Sequence, residues 1–206
     1  MIKQQAIAIA ALITAVLTPV SQTMVEFLSP LPEIKQEVLS EHDLNLETRA
    51  KGEYVNEVFK FNILHAVEKF GYSFTLEPNE TFAFHENVLP EFVGQNLKTG
   101  WTRYTTEEGY KTVLGLPGNG VCHLASLMNW AASEAGLEVT APVKHDFVPI
   151  PEVPREYGAS IRYQLNWGNS QNQNLYIKNN LNFPVVFSFQ TEQNRVNLKV
   201  LKETEQ

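Results

Sequence analysis

Cysteine is nearly missing from this chain. Cys122 is the only one in 206 residues, which rules out an intrachain disulfide and a cysteine-rich zinc site. Basic side chains are also scarce. Lys and Arg number 16 against 23 Asp and Glu, for a formal net charge of -7. Binding nucleic acid through its phosphates needs a basic face, so no nucleic-acid partner is expected. Internal repeats and low-complexity segments are absent. Long hydrophobic runs are absent too, except for one near the N-terminus, residues 6–17, which is short for a membrane span.

What is present begins with MIKQQAIAIAALITAVLTPV. Lys3, the apolar run and then Thr18-Pro19 follow the order of a signal peptide. No strong small-x-small cleavage site follows. Residues 1–22 are therefore read as a signal peptide or an N-terminal membrane anchor, with any anchoring done by residues 6–20. Export is the expectation in either case. Residues 23–47 are polar and carry Pro30 and Pro32, so they are read as a linker with a short helix. On it, His42 and Asp43 would form a solvated pair.

A hydrophobic content of 43% suits one domain of ordinary size. Val55, Val58, Phe59, Ile63, Ala66, Val67 and Phe70 share one helical face, which predicts a helix over residues 53–70 that ends at Gly71. His65 beside that stripe reads as a boundary or core histidine. Residues 72–76 and 81–85 alternate as strands around a turn at Glu77-Pro78-Asn79-Glu80. Residues 90–111 read as an irregular loop. Further strands are expected at 137–140, 161–165, 174–178, 184–190 and 195–201. The prolines at 142, 149, 151 and 154 forbid helix between the first two of these. The fold class is α+β: two main helices packed on a mostly antiparallel sheet, in one domain, with residues 202–206 as a tail.

The second helix is the centre of the reading. Pro117, Gly118, Asn119 and Gly120 form a tight turn. Then Val121, Leu124, Leu127, Met128, Ala131 and Ala135 recur at helical spacing, and Gly136 closes the helix. Cys122 falls in the first turn. There the free N–H groups and the helix dipole favour a thiolate. The same position also suits a small buried residue.

Gly118-Asn119-Gly120-Val121-Cys122, followed by a small-residue helix and Ala135-Gly136-Leu137, resembles the core signature of the VanW family. These are bacterial cell-envelope proteins named after a vancomycin-resistance determinant. The family shows a triple-glycine turn and Cys-Gln; here Asn119 is the middle residue and His123 follows the cysteine. Leu76-Glu77-Pro78-Asn79-Glu80-Thr81-Phe82-Ala83-Phe84-His85 resembles a second family motif. In it Asn79 stands for a glycine, Ala83 for a serine and His85 for an asparagine. Asn62-Ile63, Gly109-Tyr110, His145-Asp146, residues 158–161 and the ending around Asn179-Asn180 and Pro184-Val185 are similar to further family elements. Gly158 stands where the family has an aspartate. The resemblance covers residues 48–201. It implies a domain facing the cell wall, with a cell-wall peptide or glycan as partner and a link to glycopeptide resistance carried by the family name.

Two readings of the chemistry follow. In the first, Cys122 is a nucleophile, His145 its general base and Asp146 a candidate orienting group. The N–H groups of residues 121–123 would then form an oxyanion hole. The motif order is similar to that of papain-like hydrolases and transglutaminases, which implies amide hydrolysis or acyl transfer. In the second, Cys122 is structural and the protein is a binding or scaffold module. Its binding candidates are Trp101 and Tyr104 on the loop, and Asn119, Gly120 and His123 at the turn. Cys122, His123, His145 and His85 lack the spacing of a zinc site, so no metal and no cofactor are expected.

Overall fold

In the computed structural model, residues 35–100, 102–163 and 170–204 are described. The predicted signal or anchor and the start of the predicted linker lie outside them. The described residues fall in one compact unit, Ile34–Gln206, with one hydrophobic core.

Among the described residues the fold has two α-helices and ten strands. Sheet A has the order β1 (Lys35–Asn45), β10 (Arg195–Thr204), β9 (Val185–Glu192), β2 (Ser73–Leu76), and every neighbour is antiparallel. Sheet B has the order β4 (Leu97–Thr99), β3 (Thr81–Ala83), β8 (Tyr176–Lys178), β7 (Glu138–Thr140), with β3 and β4 parallel. A small hairpin joins β5 (Thr112–Val113) to β6 (Leu116–Pro117). The α+β expectation holds, with the strands divided between two main sheets.

Helices α1 (Glu53–Lys69) and α2 (Val121–Glu134) end as the glycines require. Gly71 has φ +75° and Gly136 φ +80°. At each end two backbone N–H groups turn back to helical carbonyls: Gly71 to Glu68 and Tyr72 to Val67, then Gly136 to Ser133 and Leu137 to Ala132. This double closure uses carbonyls that the helix leaves free. Helix α2 packs against β1 and β10 of sheet A, β7 of sheet B, and α1. Ten of its fourteen residues are buried, Ala125, Ser126, Ala131 and Ala132 among them. Small side chains let so many neighbours approach one helix.

Strands β2 and β3 are adjacent in sequence but belong to different sheets. The turn between them has Asn79 at φ +66°, a conformation asparagine tolerates nearly as glycine does. Aromatic rings fill the space where the sheets diverge. Phe74 stacks on Phe82 at 4.6 Å and on Phe187 at 4.9 Å, and Phe70 meets Phe82 and Phe84 edge-on.

Residues 35–45, expected in a linker with a short helix, are instead the longest strand. Its pattern is hidden by a bulge between Val38 and Ser40, which shifts the alternation by one. Strand geometry also parts the predicted His42–Asp43 pair, because successive side chains face opposite ways. His42 stacks on Trp130 of α2 at 3.5 Å and bonds Glu134 at 2.7 Å. Asp43 pairs with Arg195 at 3.0 Å. The strand expected over 161–165 is absent at residues 161–163, and the remainder lies outside the described residues.

Two glycines separate backbone strain from packing. At Gly120, φ is +101° and a Cβ would lie 2.8 Å from the Phe59 carbonyl oxygen. At Gly136 a Cβ would meet nothing within 4 Å. Gly120→Ala is expected to destabilise by about 3 kcal/mol or more, and Gly136→Ala by about 1 kcal/mol. Urea-unfolding midpoints would check the ranking, and equal losses would contradict it.

Candidate functional site

The turn that launches α2 is held from α1. Asn62 is fully buried. Its amide nitrogen donates to the carbonyls of Lys111 (3.0 Å) and Asn119 (2.9 Å), and its oxygen accepts the Lys111 N–H at 2.8 Å. Asn119 Oδ1 accepts the Val113 N–H at 2.9 Å. Gly118 and Gly120 have φ of +72° and +101°, and Asn119 between them is not among the residues with positive φ. The middle position of the turn therefore does not need glycine, which accounts for the asparagine there. Asn119 and Gly120 are engaged in this framework: Gly120 lies against the Phe59 backbone.

Cys122 is a partly buried free cysteine. Its Sγ accepts the Ile161 N–H at 3.3 Å and donates to the Ile161 carbonyl at 3.5 Å. The thiol thus engages both polar groups of the Ile161 backbone, while the Ser160 and Arg162 N–H groups donate to the Val143 and Gln173 carbonyls. Burial pushes the Cys122 thiol above its usual value, against the opposing pull of the Ile161 backbone. Burial thus opposes the thiolate that the helix N-terminus favours. The expected oxyanion hole is also largely occupied. The Val121 N–H bonds the Gly118 carbonyl at 3.1 Å, and the His123 N–H bonds that of Gly120 at 2.9 Å.

No hydrogen bond joins Cys122 to His145 among the described residues. His145 instead meets His123 edge to face, with centroids 5.9 Å apart, and leans on Phe147 at 4.1 Å. Its backbone N–H bonds the Gly158 carbonyl at 3.1 Å. Burial lowers the His145 pKa and takes that of His123 to about 3, with the Arg49 charge adding to the effect. Asp146 contributes its carbonyl to Arg155 at 2.6 Å. Gly158 leaves no room for the family's aspartate, because a Cβ there would sit 2.6 Å from the His145 carbonyl oxygen. Tyr104 is 3% exposed and its hydroxyl donates to the Phe84 carbonyl at 2.7 Å. It packs under the loop and does not line a groove. Trp101 lies outside the described residues.

His85, in the second motif, is fully buried. Its Nε2 lies 2.9 Å from the Gln173 carbonyl and must donate to it, while Nδ1 accepts from Asn174 Nδ2 at 3.3 Å. Burial takes its pKa down to about 4, although the Gln173 carbonyl favours the charged form. His65 bonds the Glu108 carbonyl at 2.8 Å and meets Tyr110 edge-on, a packing role.

Sequence reasoning missed Arg49. This guanidinium is buried and reaches Glu152 at 2.6 Å. A single arginine in a polar stretch carries no signal of burial, and its partner is 103 residues away.

A family model described as VanW like protein matches residues 60–201. No curated protein and no solved structure matches the chain.

The His85 geometry sets a pH dependence. A histidine that folds neutral takes up its proton first in the unfolded chain. Stability is therefore retained above about pH 6.5 and falls as the pH drops towards about 4, by up to about 3 kcal/mol. His123 acts in the same direction. His85→Asn keeps an amide donor and removes the titration, so the loss of urea midpoint between about pH 7 and about pH 4.5 should shrink. An unchanged loss would show that His85 does not carry it.

Proposed function

Because the chain belongs to the VanW family, we propose that it is an exported cell-envelope protein acting as a non-catalytic binding or scaffold module at the cell wall. The observation that carries the non-catalytic reading is the position of Cys122 Sγ between the N–H and the carbonyl of Ile161. A nucleophile needs a populated thiolate and a base within hydrogen-bond reach. Here burial disfavours the thiolate, and His145 meets His123 edge to face with no hydrogen bond to Cys122 among the described residues. Cys122 works as a fastener that ties residues 159–161 onto α2. Ser126 assists from the next turn, donating to the Cys122 carbonyl at 2.7 Å and accepting the Ala159 N–H at 2.9 Å.

Export is supported by Lys3 and the apolar stretch that follows it. Wall peptide or glycan as the partner is supported by the family's association with the cell envelope. The amide-hydrolase or acyl-transferase reading would need the thiol released from Ile161 and moved to an imidazole.

Thiol labelling of the folded protein tests the central claim. Cys122 should react at pH 7 only as fast as the protein opens, and His145→Ala should leave that rate within about twofold. Rapid labelling below neutral pH that falls about tenfold or more in His145→Ala would restore the catalytic reading. Co-sedimentation with purified peptidoglycan tests the partner. Wild type and Cys122→Ala should pellet alike. A wild-type protein that stays in solution would remove the wall-binding role.

A further inference from the structure

The β5–β6 hairpin ends in a leucine that the fold itself does not call for. Its strands pair Thr112 with Pro117 and Val113 with Leu116, and Leu114 and Gly115 make the turn with φ of +52° and +76°. A two-residue turn with both φ angles positive favours Asn-Gly or Asp-Gly. Leucine is strained there, because its Cβ crowds the backbone and its side chain offers no local hydrogen bond. Packing does not compensate. Leu114 is 97% accessible, the most exposed large hydrophobic side chain among the described residues, and Leu116 is 53% accessible. Residues 112–120 carry no charged side chain.

The tip is held out from a fixed base. Asn62 bonds both polar groups of Lys111, and Asn119 accepts the Val113 N–H. The Lys111 ammonium lies 3.9 Å over the Phe61 ring. Phe61 and Tyr54 are exposed in turn, and their seven-residue spacing puts them on one face of α1. Leucines at the tip and a lysine on an aromatic ring behind them follow the order of a bilayer interface. Aliphatic side chains suit its acyl chains, and cationic and aromatic groups suit its headgroups.

A lipid surface also suits the shape. A projecting tip offers little area to a flat protein partner, whereas acyl chains need no complementary form. Backbone that enters them must be paired, and the hairpin ladder supplies partners up to the turn. The formal charge of -7 gives no general attraction to anionic headgroups, so apolar insertion is the available force. The N-terminal apolar run ends at residue 17 and the first strand starts at Lys35. The chain between them spans at most about 60 Å. A bilayer holding that run therefore keeps the domain near it and raises the effective concentration of the tip.

We infer that the Leu114–Leu116 tip inserts into the acyl region of a lipid bilayer, as a reversible membrane contact of the exported domain. The inference rests on the export reading above, since a bilayer must face the domain, and it is independent of wall binding.

The test uses full-length protein with ¹³C-methyl leucine on phosphatidylcholine nanodiscs whose lipids carry a nitroxide on the acyl chain. The chemically reduced lipid is the control. The methyl signals of Leu114 and Leu116 should broaden, and those of the fully buried Leu124 and Leu198 should not. Leu12 and Leu17, in the apolar run, report separately on anchoring. Broadening at Leu12 and Leu17 with Leu114 and Leu116 sharp would overturn the inference and leave the anchor standing. Broadening at Leu114 and Leu116 alone would support insertion and remove the anchor. No broadening at either place would remove both. Asparagine suits the positive φ, so Leu114→Asn should keep or raise the urea midpoint. The same variant should lower the insertion equilibrium, read from Leu116, about tenfold or more. Leu116 broadening unchanged in Leu114→Asn would overturn the inference. So would a wild-type dimer that Leu114→Asn dissociates while the nitroxide leaves Leu116 sharp, which would assign the tip to a second copy.

Discussion

Irregular backbone can be buried only if its N–H and carbonyl groups find partners, and in this fold asparagine carboxamides supply them. One carboxamide both donates and accepts, so it can stand in for a stretch of strand. Asn62 does this for the turn ahead of α2. Asn56 accepts from the N–H groups of Arg49 and Ala50 and donates to the Leu46 carbonyl. Asn174 bridges the backbone of His85, Asn87 and Leu175. Asn179 donates to the carbonyls of Leu76 and Phe183, and its own backbone pairs with Asn79 and Glu80. Sheet ladders fix the strands, and these four side chains fix much of what lies between them.

The sulfur of Cys122 belongs to the same scheme. It engages both polar groups of Ile161, as a neighbouring strand would. Position alone, at a helix start after a glycine turn, suggests a reactive thiol. The surroundings pull the other way, because burial penalises the charged form of the thiol. A cysteine on a helix N-terminus is therefore informative only once its neighbours are known.

Much of the fold was legible in the sequence. Both helices end at glycine stops, and β10 alternates, with Val196, Leu198 and Val200 buried and Asn197 and Lys199 between them partly exposed. Strand β1 was not legible, because its bulge breaks the period of two and its pairing partner lies at the far end of the chain. The split of β2 and β3 between sheets was also hidden, since a tight turn between two strands says nothing about which sheet each joins. For the candidate site, the turn and Cys122 could be read directly. The Arg49–Glu152 pair could not, because burial of a charge depends on residues more than 100 positions apart. Tyr104 resisted for a related reason: an aromatic in a loop looks the same whether it lines a groove or seals one.

The pairing of β1 with β10, Lys35 opposite Thr204, bears on how the chain is made. Sheet A joins the earliest described strand to the last described strand, so it stays open during synthesis until β10 has been made. Loop closure over that separation is entropically slow, and the aromatic core beneath it waits as well. A polypeptide in this state keeps the edges of β9 and β1 unpaired, and an open strand edge is a template for pairing with other chains. The last strand to be made is therefore the one that seals both edges at once.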